Sequence, residues 1–240
     1  MKWMRFITGV LAMFVMGRES VRAEDGEVKA REAMVRNQLA TGGITNPDVL
    51  QAMMEVPRHE FVPASVRPFA YVDGPLPIGH GQTISQPFVV AFMTQALGLS
   101  KDDTVLEVGT GSGYQAAILG KLAREVYSIE IVAPLAESAK AALSRLGFEN
   151  VYVKAGDGYL GWPEKAPFDA IIVTCAPDHV PEPLIAQLKE GGRLVIPVGE
   201  EGAVQELVLL RKRNGQVSKE KMLDVRFVPM TGKATNGLTD

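Results

Sequence analysis

From residue 102 onwards, short apolar runs alternate with longer segments that carry apolar residues on one helical face. The short runs have the length of buried strands, and the longer segments have helical spacing. We predict strands at residues 104–108, 125–131, 151–155, 168–173 and 193–198, and helices at residues 114–122, 133–146 and 183–188. Strands that alternate with helices form a mostly parallel sheet with crossover helices. The pattern therefore predicts an open, doubly wound α/β sheet.

The last two apolar runs have no helix between them. They span residues 205–211 and 223–229, on either side of the turn Asn214-Gly215. Strands joined without a crossover pair in the antiparallel sense, so we predict a C-terminal hairpin. Upstream of it, we expect Gly191-Gly192 to close the helix at residues 183–188.

The first part of the chain has a different pattern, with helices and then a long loop. Residues 29–40 have the pattern of a helix, and Asn46-Pro47 begins a second helix that ends near Glu55. Prolines and glycines interrupt residues 63–87, which predicts a long functional loop with short ordered pieces. Ser85 and Pro87 then start a helix through Leu97. We expect one domain at residues 29–235, with N-terminal helices and loop at 29–100 and a core at 101–235.

Composition and charge exclude several classes of protein. The chain has 240 residues, a net charge of −3 and no long basic run, so we expect no nucleic-acid partner. Its one cysteine, Cys175, and three scattered histidines give no metal motif, and we expect no metal. No apolar run reaches the ~20 residues that a spanning helix needs, so we expect no stable membrane span.

The N-terminus has the order of parts found in a secretory signal peptide. Lys2 and Arg5 precede an apolar run at residues 6–16, and residues 21–23 (V-R-A) would form a cleavage site before Glu24. Residues 17–22 are more charged than is usual before a cleavage site. Residues 1–28 are therefore either a plain leader or a signal peptide, and a signal peptide over residues 1–23 would place the mature chain in the periplasm.

A glycine-rich turn follows the first core strand, at E-V-G-T-G-S-G-Y from Glu107 to Tyr114. Glycines at 109, 111 and 113 let a ligand approach the backbone at the carboxyl end of the strand, where open α/β sheets bind their ligands. In dinucleotide-binding turns the third glycine comes five positions after the first. Here Tyr114 holds that position, and this spacing favours a nucleoside cofactor without a pyrophosphate.

Two further acids follow the next strands. Glu130 ends the second strand and can accept hydrogen bonds from both ribose hydroxyls, while Asp157 follows the third strand and can bond an adenine amino group. Each acid alone could be a solvated loop residue, and Glu107 could simply orient the turn. Together they predict S-adenosylmethionine, with S-adenosylhomocysteine as product, and a Rossmann-like methyltransferase fold. We expect these site residues: Glu107, Gly109, Thr110, Gly111, Ser112, Gly113, Glu130, Ile131, Asp157 and Gly158.

Several motifs in the correct order resemble one family, the protein-L-isoaspartate O-methyltransferases. They include V-P-R-H-E-F-V-P at residues 56–63, G-Q-T-I-S-Q-P at residues 81–87, the cofactor turn, and V-P-M-T at residues 228–231. The resemblance covers residues 29–231. G-Q-T-I-S-Q-P is specific to this family, whereas many methyltransferases share the glycine turn.

The resemblance implies methyl transfer from S-adenosylmethionine to the free carboxylate of L-isoaspartyl residues in damaged proteins and peptides. The methyl ester then cyclises to a succinimide, and hydrolysis returns some normal aspartate. The family assigns the active-site role to the serine at the position of Ser85, and we expect Thr83, Ile84 and Thr231 to line the same site. The resemblance also implies a cytoplasmic protein, and we expect a monomer.

Three alternatives stay open at this stage. A methyltransferase with a different acceptor would share the cofactor features but would not need the loop at residues 63–87. An NAD-dependent oxidoreductase is disfavoured by Tyr114, and a non-catalytic binding module is disfavoured because Ser85 and the glycines are kept. We expect His59, His80 and Cys175 to be structural rather than catalytic.

Overall fold

The computed structural model describes residues 25–234, so the leader predicted at residues 1–28 lies outside it except for 25–28. Residues 25–34 are α-helical, and this helix (α1) continues as a π-helical segment at Val35–Ala40. Helix α2 spans Pro47–Glu55. The Asn46 side chain accepts hydrogen bonds from the backbone N–H groups of Asp48 and Val49, which confirms the predicted N-cap.

The loop at residues 63–87 contains the short ordered pieces that its composition predicts. Single 3₁₀ turns form at Arg58–Phe61, just before the loop, and at Arg67–Phe69. A small antiparallel hairpin follows, with β1 at Leu76–Gly79 and β2 at Gln82–Ile84. Helix α3 spans Pro87–Leu97, and its N-cap is Gln86. The helix predicted to start at Ser85 and Pro87 and to run through Leu97 is confirmed from Pro87 onwards, but Ser85 itself lies outside it, between β2 and the cap.

The rest of the chain forms a seven-stranded sheet with the order β5-β4-β3-β6-β7-β8-β9. The strands from β3 to β7 run parallel, and β8 is antiparallel to both of its neighbours. The strands are β3 Thr104–Val108, β4 Glu125–Glu130, β5 Val151–Ala155, β6 Phe168–Val173, β7 Leu188–Val198, β8 Gln205–Arg213 and β9 Gln216–Val225, and the core helices are α4 Tyr114–Leu122, α5 Ala133–Arg145 and α6 Glu182–Ala186. The predicted doubly wound fold is confirmed.

Alternate residues of the central strands pack into two different cores. In β3, Val105 faces a cluster that includes Met93 and Leu97 of α3, whereas Leu106 faces a cluster that includes Leu184 of α6. Both faces of the central parallel strands are covered in this way, which explains why β3 and β6 carry runs of consecutive apolar residues rather than a strict alternation. Packing on both faces thus positions the carboxyl ends of these strands.

The prediction that Gly191-Gly192 closes a helix is wrong. Helix α6 ends at Ala186, and β7 begins at Leu188 and includes both glycines. The pairing with β6 shifts inside this stretch, since Phe168 pairs with Leu188 but Ala170 pairs with Arg193. The glycines therefore form an irregularity within a strand, and a bulge of this kind is another common use of glycine in sheets.

The C-terminal hairpin is confirmed, but its second strand lies earlier than predicted. Asn214 and Gly215 both have positive φ, at 53° and 72°, as a two-residue type I′ hairpin turn requires. Strand β9 starts directly after them, whereas the apolar pattern suggested residues 223–229. Residues 218–221 are polar because β9 is the edge strand and this part of it is exposed.

Candidate functional site

The chain order reverses between β3 and β6, and the glycine turn lies at that position. Strands β4 and β5 extend the sheet on one side of β3, and β6 begins the other side. Ligands of open α/β sheets bind at such a switch point, beyond the carboxyl ends of the strands. The Thr174 hydroxyl, directly after β6, donates to the carbonyl of Gly109, directly after β3, at 2.6 Å. This contact ties the two strand ends together.

Gly109 cannot be replaced without disturbing this arrangement. Its φ is +97°, and a Cβ at this position would lie 2.4 Å from the Thr174 Oγ1 atom. A side chain would therefore be strained in its backbone and would also collide with the residue that fixes the turn.

Glu130 closes the other side of the turn. One carboxylate oxygen accepts from the backbone N–H of Gly111 at 2.7 Å, and the other accepts from the N–H of Val132 at 2.9 Å. The residue is only 5% exposed and lines the cavity beside the turn. Each carboxylate oxygen can accept more than one hydrogen bond. Glu130 can therefore hold the turn and still bind a pair of hydroxyl groups.

Glu107 lies under the turn rather than in the cavity. It is fully buried, and Ser128 donates to its carboxyl group while accepting from the Thr110 hydroxyl at 2.5 Å. Burial raises the pKa of Glu107 to about 8, so the group is mostly neutral at neutral pH. The contacts favour the structural alternative, in which Glu107 orients the turn through Ser128 and Thr110.

Asp157 also makes backbone contacts. Its carboxylate accepts from the N–H groups of Tyr159 at 3.0 Å and Lys233 at 2.9 Å. It thus joins the loop after β5 to the chain beyond β9. Its neighbour Gly158 lines the cavity, whereas Asp157 itself does not. The bond from Asp157 to an adenine amino group stays a prediction.

Most of the predicted site residues line one cavity, which we call the turn pocket. It is bounded by the glycine turn, the end of β4, the residues after β6, the β2 strand and the segment after β9. Glu107, Gly113 and Asp157 lie outside its lining. The predicted residues that the pocket brings together are Thr83, Ile84, Ser85, Gly109, Thr110, Gly111, Ser112, Glu130, Ile131, Gly158 and Thr231.

Other lining residues were not predicted from the sequence. Thr174 and Cys175 directly follow β6, so the strand-end rule that identified Glu130 could have found them. Val228 and Met230 arrive through a backbone bridge, in which the N–H of Ala176 donates to Val228 and the N–H of Met230 donates to Ala176. No local pattern in the sequence signals that long-range pairing.

A second cavity, which we call the outer groove, adjoins the turn pocket. It lies between the N-terminus of α3 and the end of β9, and its lining includes Gln86, Phe88, Leu223 and Arg226. Four residues line both cavities: Thr83, Ser85, Thr174 and Val228. The half-buried Ser85 therefore lies on the wall where the two cavities meet.

The other candidate nucleophiles and bases have structural surroundings. The ring of His59 bonds the Tyr71 hydroxyl at 2.6 Å and Glu27 at 2.8 Å, away from both cavities. Burial lowers the pKa of His59 and raises the pKa of the Cys175 thiol to about 12. Cys175 lines the turn pocket, but its thiol stays protonated at neutral pH and is a poor nucleophile.

Within residues 25–234, no group of three or more His, Cys, Asp or Glu side chains is arranged to hold a metal ion. Over the same residues, no helix is both long enough and apolar enough to cross a bilayer.

Comparison with known proteins gives a consistent family. Residues 29–235 match the family model described as protein-L-isoaspartate(D-aspartate) O-methyltransferase. A protein-L-isoaspartate O-methyltransferase of Opitutus terrae is 55% identical over 229 residues, covering 95% of this chain and 98% of the relative. One from Picosynechococcus is 52% identical over 208 residues, covering 87% of this chain and 93% of the relative.

Solved structures agree with this result. A protein-L-isoaspartate O-methyltransferase structure superposes with a TM-score of 0.78 at 35% identity, covering 86% of this chain and 67% of the other. A Plasmodium falciparum protein assigned to the same family, solved in complex with S-adenosyl-L-homocysteine, gives a TM-score of 0.74 at 29% identity. That match covers 84% of this chain and 98% of the other.

Proposed function

The chain belongs to the protein-L-isoaspartate(D-aspartate) O-methyltransferase family, and from that premise we propose that methyl transfer to an L-isoaspartyl carboxylate takes place where its two cavities meet. The observation that carries this proposal is that Ser85 lines both the turn pocket and the outer groove. A donor bound in one cavity and an acceptor bound in the other would face each other at that residue.

The residues of the turn pocket fit S-adenosylmethionine, the cofactor of this family. Glu130 is a buried carboxylate at a strand end, suited to the two ribose hydroxyls. Gly109 and Gly111 leave backbone exposed where a methionine moiety would approach, and Ile131 and Val132 offer apolar surface for an adenine ring. When bound, the cofactor supplies an activated methyl group on a positively charged sulfur.

The chain's own contribution to the chemistry is positioning rather than acid–base catalysis. A carboxylate with a pKa near ~3.5 is already ionised at neutral pH, so no general base is required. The Ser85 hydroxyl can donate a hydrogen bond to the acceptor carboxylate and orient its other oxygen towards the turn pocket. Holding the two reacting groups in line lowers the barrier through proximity. Ser85 acts here as a hydrogen-bond donor and forms no covalent intermediate.

Removing the Ser85 hydroxyl tests this role. We expect Ser85→Ala to reduce kcat by roughly 100-fold, because a donor that orients a charged reactant contributes on the order of 2–3 kcal/mol. Cofactor affinity, measured by calorimetry with S-adenosylhomocysteine, should change little. Ser144→Ala, at an exposed serine of α5, is the matched control.

Turnover is measured as tritium transfer from labelled S-adenosylmethionine to paired peptides that contain either L-isoaspartate or L-aspartate. The proposal requires labelling of the isoaspartyl peptide alone by the unmodified chain. Labelling of both peptides or of neither would contradict it, and unchanged turnover of Ser85→Ala would remove the role assigned to Ser85.

We further propose that the chain works in the cytoplasm as a monomer. The cytoplasm is where S-adenosylmethionine is made, which supports this location. Cell fractionation with N-terminal sequencing tests it, and a periplasmic chain that begins at Glu24 would contradict it. Sedimentation at micromolar concentration tests the oligomeric state, and a stable dimer would contradict the monomer.

A further inference from the structure

Helix α3, which begins two residues after Ser85, does not have a cap from its own N-cap residue. The Gln86 side chain makes no capping hydrogen bond, whereas Asn46 caps α2 in the usual way. The first N–H groups of a helix need an acceptor from outside the helix. In α3 that acceptor is Asp73, whose Oδ1 atom accepts from the backbone N–H of Phe88 at 2.9 Å.

The second oxygen of Asp73 holds the N-cap residue itself. Its Oδ2 atom accepts from the Gln86 side-chain amide at 2.8 Å. Both contacts cross the base of the β1–β2 hairpin, in which Leu76 pairs with Ile84. One carboxylate thus fixes the chain at positions 86 and 88, on the C-terminal side of Ser85, while the hairpin fixes it on the N-terminal side.

The loop that carries Asp73 is itself anchored next to the turn pocket. Arg58 is fully buried, and its Nε atom donates to the carbonyl of Ala70 at 2.8 Å. Its guanidinium carbon lies 4.9 Å from the ring centre of Tyr114, which begins α4 and lines the turn pocket. Arg58 also donates to the carbonyl of Gly74, the residue after Asp73, at 3.5 Å. The wall of the turn pocket is therefore connected through Arg58 to the backbone on either side of Asp73, and the Asp73 carboxylate contacts the chain beside Ser85.

We propose that Asp73 is a positioning residue that sets the place of Ser85 relative to the turn pocket. The inference rests on the proposed role of Ser85. Without the carboxylate, the first turn of α3 loses its acceptor and Ser85 is held on one side only. Displacement of a catalytic group by about 1 Å can cost on the order of 100-fold in rate. Asp73 acts on the reaction solely through this geometry, because it lines neither cavity.

The first test compares two side chains that each accept a hydrogen bond from the first turn of a helix, Asp73 for α3 and Asn46 for α2. We expect Asp73→Ala to lower kcat by roughly 10- to 100-fold, with the dissociation constant for S-adenosylhomocysteine unchanged within about twofold. Asn46→Ala removes the cap of α2, which contributes no residue to the lining of either cavity, and should lower Tm by a similar amount without changing kcat. Asp73→Asn keeps an oxygen acceptor for the Phe88 N–H and should recover part of the lost kcat.

A second variant separates helix capping from positioning. Serine is a good N-cap, so Gln86→Ser can supply α3 with a cap of its own. We expect Asp73→Ala combined with Gln86→Ser to regain the Tm of Gln86→Ser alone while its kcat stays lower than that of Gln86→Ser. Recovery of kcat together with Tm would show that Asp73 only caps the helix, and would overturn the proposal.

Two further results would also overturn it: unchanged kcat in Asp73→Ala, or a loss of cofactor affinity as large as the loss of kcat. Failure of the proposed function gives a different result, because the unmodified chain would then not label the isoaspartyl peptide selectively.

Discussion

The turn pocket and the outer groove are built in different ways. The turn pocket is built around residues at and just after the ends of β3, β4 and β6, and residues 82–85 and 228–231 complete it. The outer groove brings together residues 75–89 and residues 204–228, which are more than a hundred positions apart in the chain. Hydrogen bonds between neighbouring strand ends define the turn pocket, whereas the outer groove depends on how distant segments pack. Among the effects on the reaction, we therefore expect substitutions at the turn to act mainly on cofactor affinity and substitutions around the groove to act mainly on turnover.

The largest effect on cofactor binding is expected for Gly109→Ala. The new Cβ would lie 2.4 Å from Thr174 Oγ1 at a φ of +97°. We expect a loss of roughly 2–3 kcal/mol in the free energy of unfolding, measured with urea, because strain and a steric clash add. Calorimetry should detect no binding of S-adenosylhomocysteine.

A matched glycine separates the two causes of this effect. Gly43 has a similar φ of +104°, but no atom lies within 4 Å of a Cβ built there. For Gly43→Ala we therefore expect a smaller loss in the free energy of unfolding, due to backbone strain alone, and full cofactor affinity. Equal losses at both glycines would mean that the contact with Thr174 contributes nothing.

A smaller effect on cofactor binding is expected for Glu130→Gln. The amide keeps only one oxygen acceptor, so one of the two bonds from the N–H groups of Gly111 and Val132 is lost and the other loses its charge assistance. We expect the dissociation constant of S-adenosylhomocysteine to rise about 10- to 100-fold, as loss of ~1.5–3 kcal/mol implies. The KM for the isoaspartyl peptide should stay the same, which would support the separation of the two cavities. The exposed Glu137 on α5 provides a control, Glu137→Gln.

The same contrast explains how much the sequence alone could predict. Strands β3 to β6 carry short apolar runs and were predicted to within about one residue at each end, and the strand-end rule then located Glu130 and the turn. Strand β7 begins at Leu188, five residues before its predicted start at residue 193, because the polar residues after Leu188 hide its first part. By contrast, strand β9 is half exposed, and its polar residues hide it from any search for apolar runs. A Gly-Gly pair is common both in a strand bulge and at the end of a helix, so the sequence did not show that Gly191 and Gly192 belong to a strand.

The acceptor side was located only through its resemblance to a family. Ser85 has no local physical signal apart from a position near a helix start, and the structure shows that Gln86 is the N-cap. The contacts that define its surroundings come from Asp73 and from the segment after β9, which no periodic pattern connects to it.

The smallest effect on cofactor binding is expected for Glu107→Gln, because Glu107 lies under the glycine turn and outside the lining of the turn pocket. Because burial raises the pKa of Glu107 to about 8, its carboxyl group is mostly neutral at pH 7 and an amide can replace it. We expect the dissociation constant of S-adenosylhomocysteine at pH 7 to change by no more than about threefold. A loss of cofactor affinity as large as that of Glu130→Gln would indicate that Glu107 contacts the cofactor directly. It would contradict the conclusion that Glu107 lies outside the turn pocket.

The stability of the same variant should depend on pH in a defined direction. The unfolded chain releases the Glu107 proton near pH 4.5, its ordinary value, whereas the folded chain holds it up to about pH 8. The contribution of Glu107 to the free energy of unfolding is therefore fully present below pH 4.5 and is lost as the pH rises to about 8. Relative to Glu107→Gln, the free energy of unfolding of the unmodified chain should fall by up to about 1.4 kcal/mol per pH unit between these two values. Urea unfolding at pH 5, 6.5 and 8 measures the difference. A constant difference would mean that Glu107 is ionised in the fold, and Ser128 and Thr110 would then bind a charge beneath the turn.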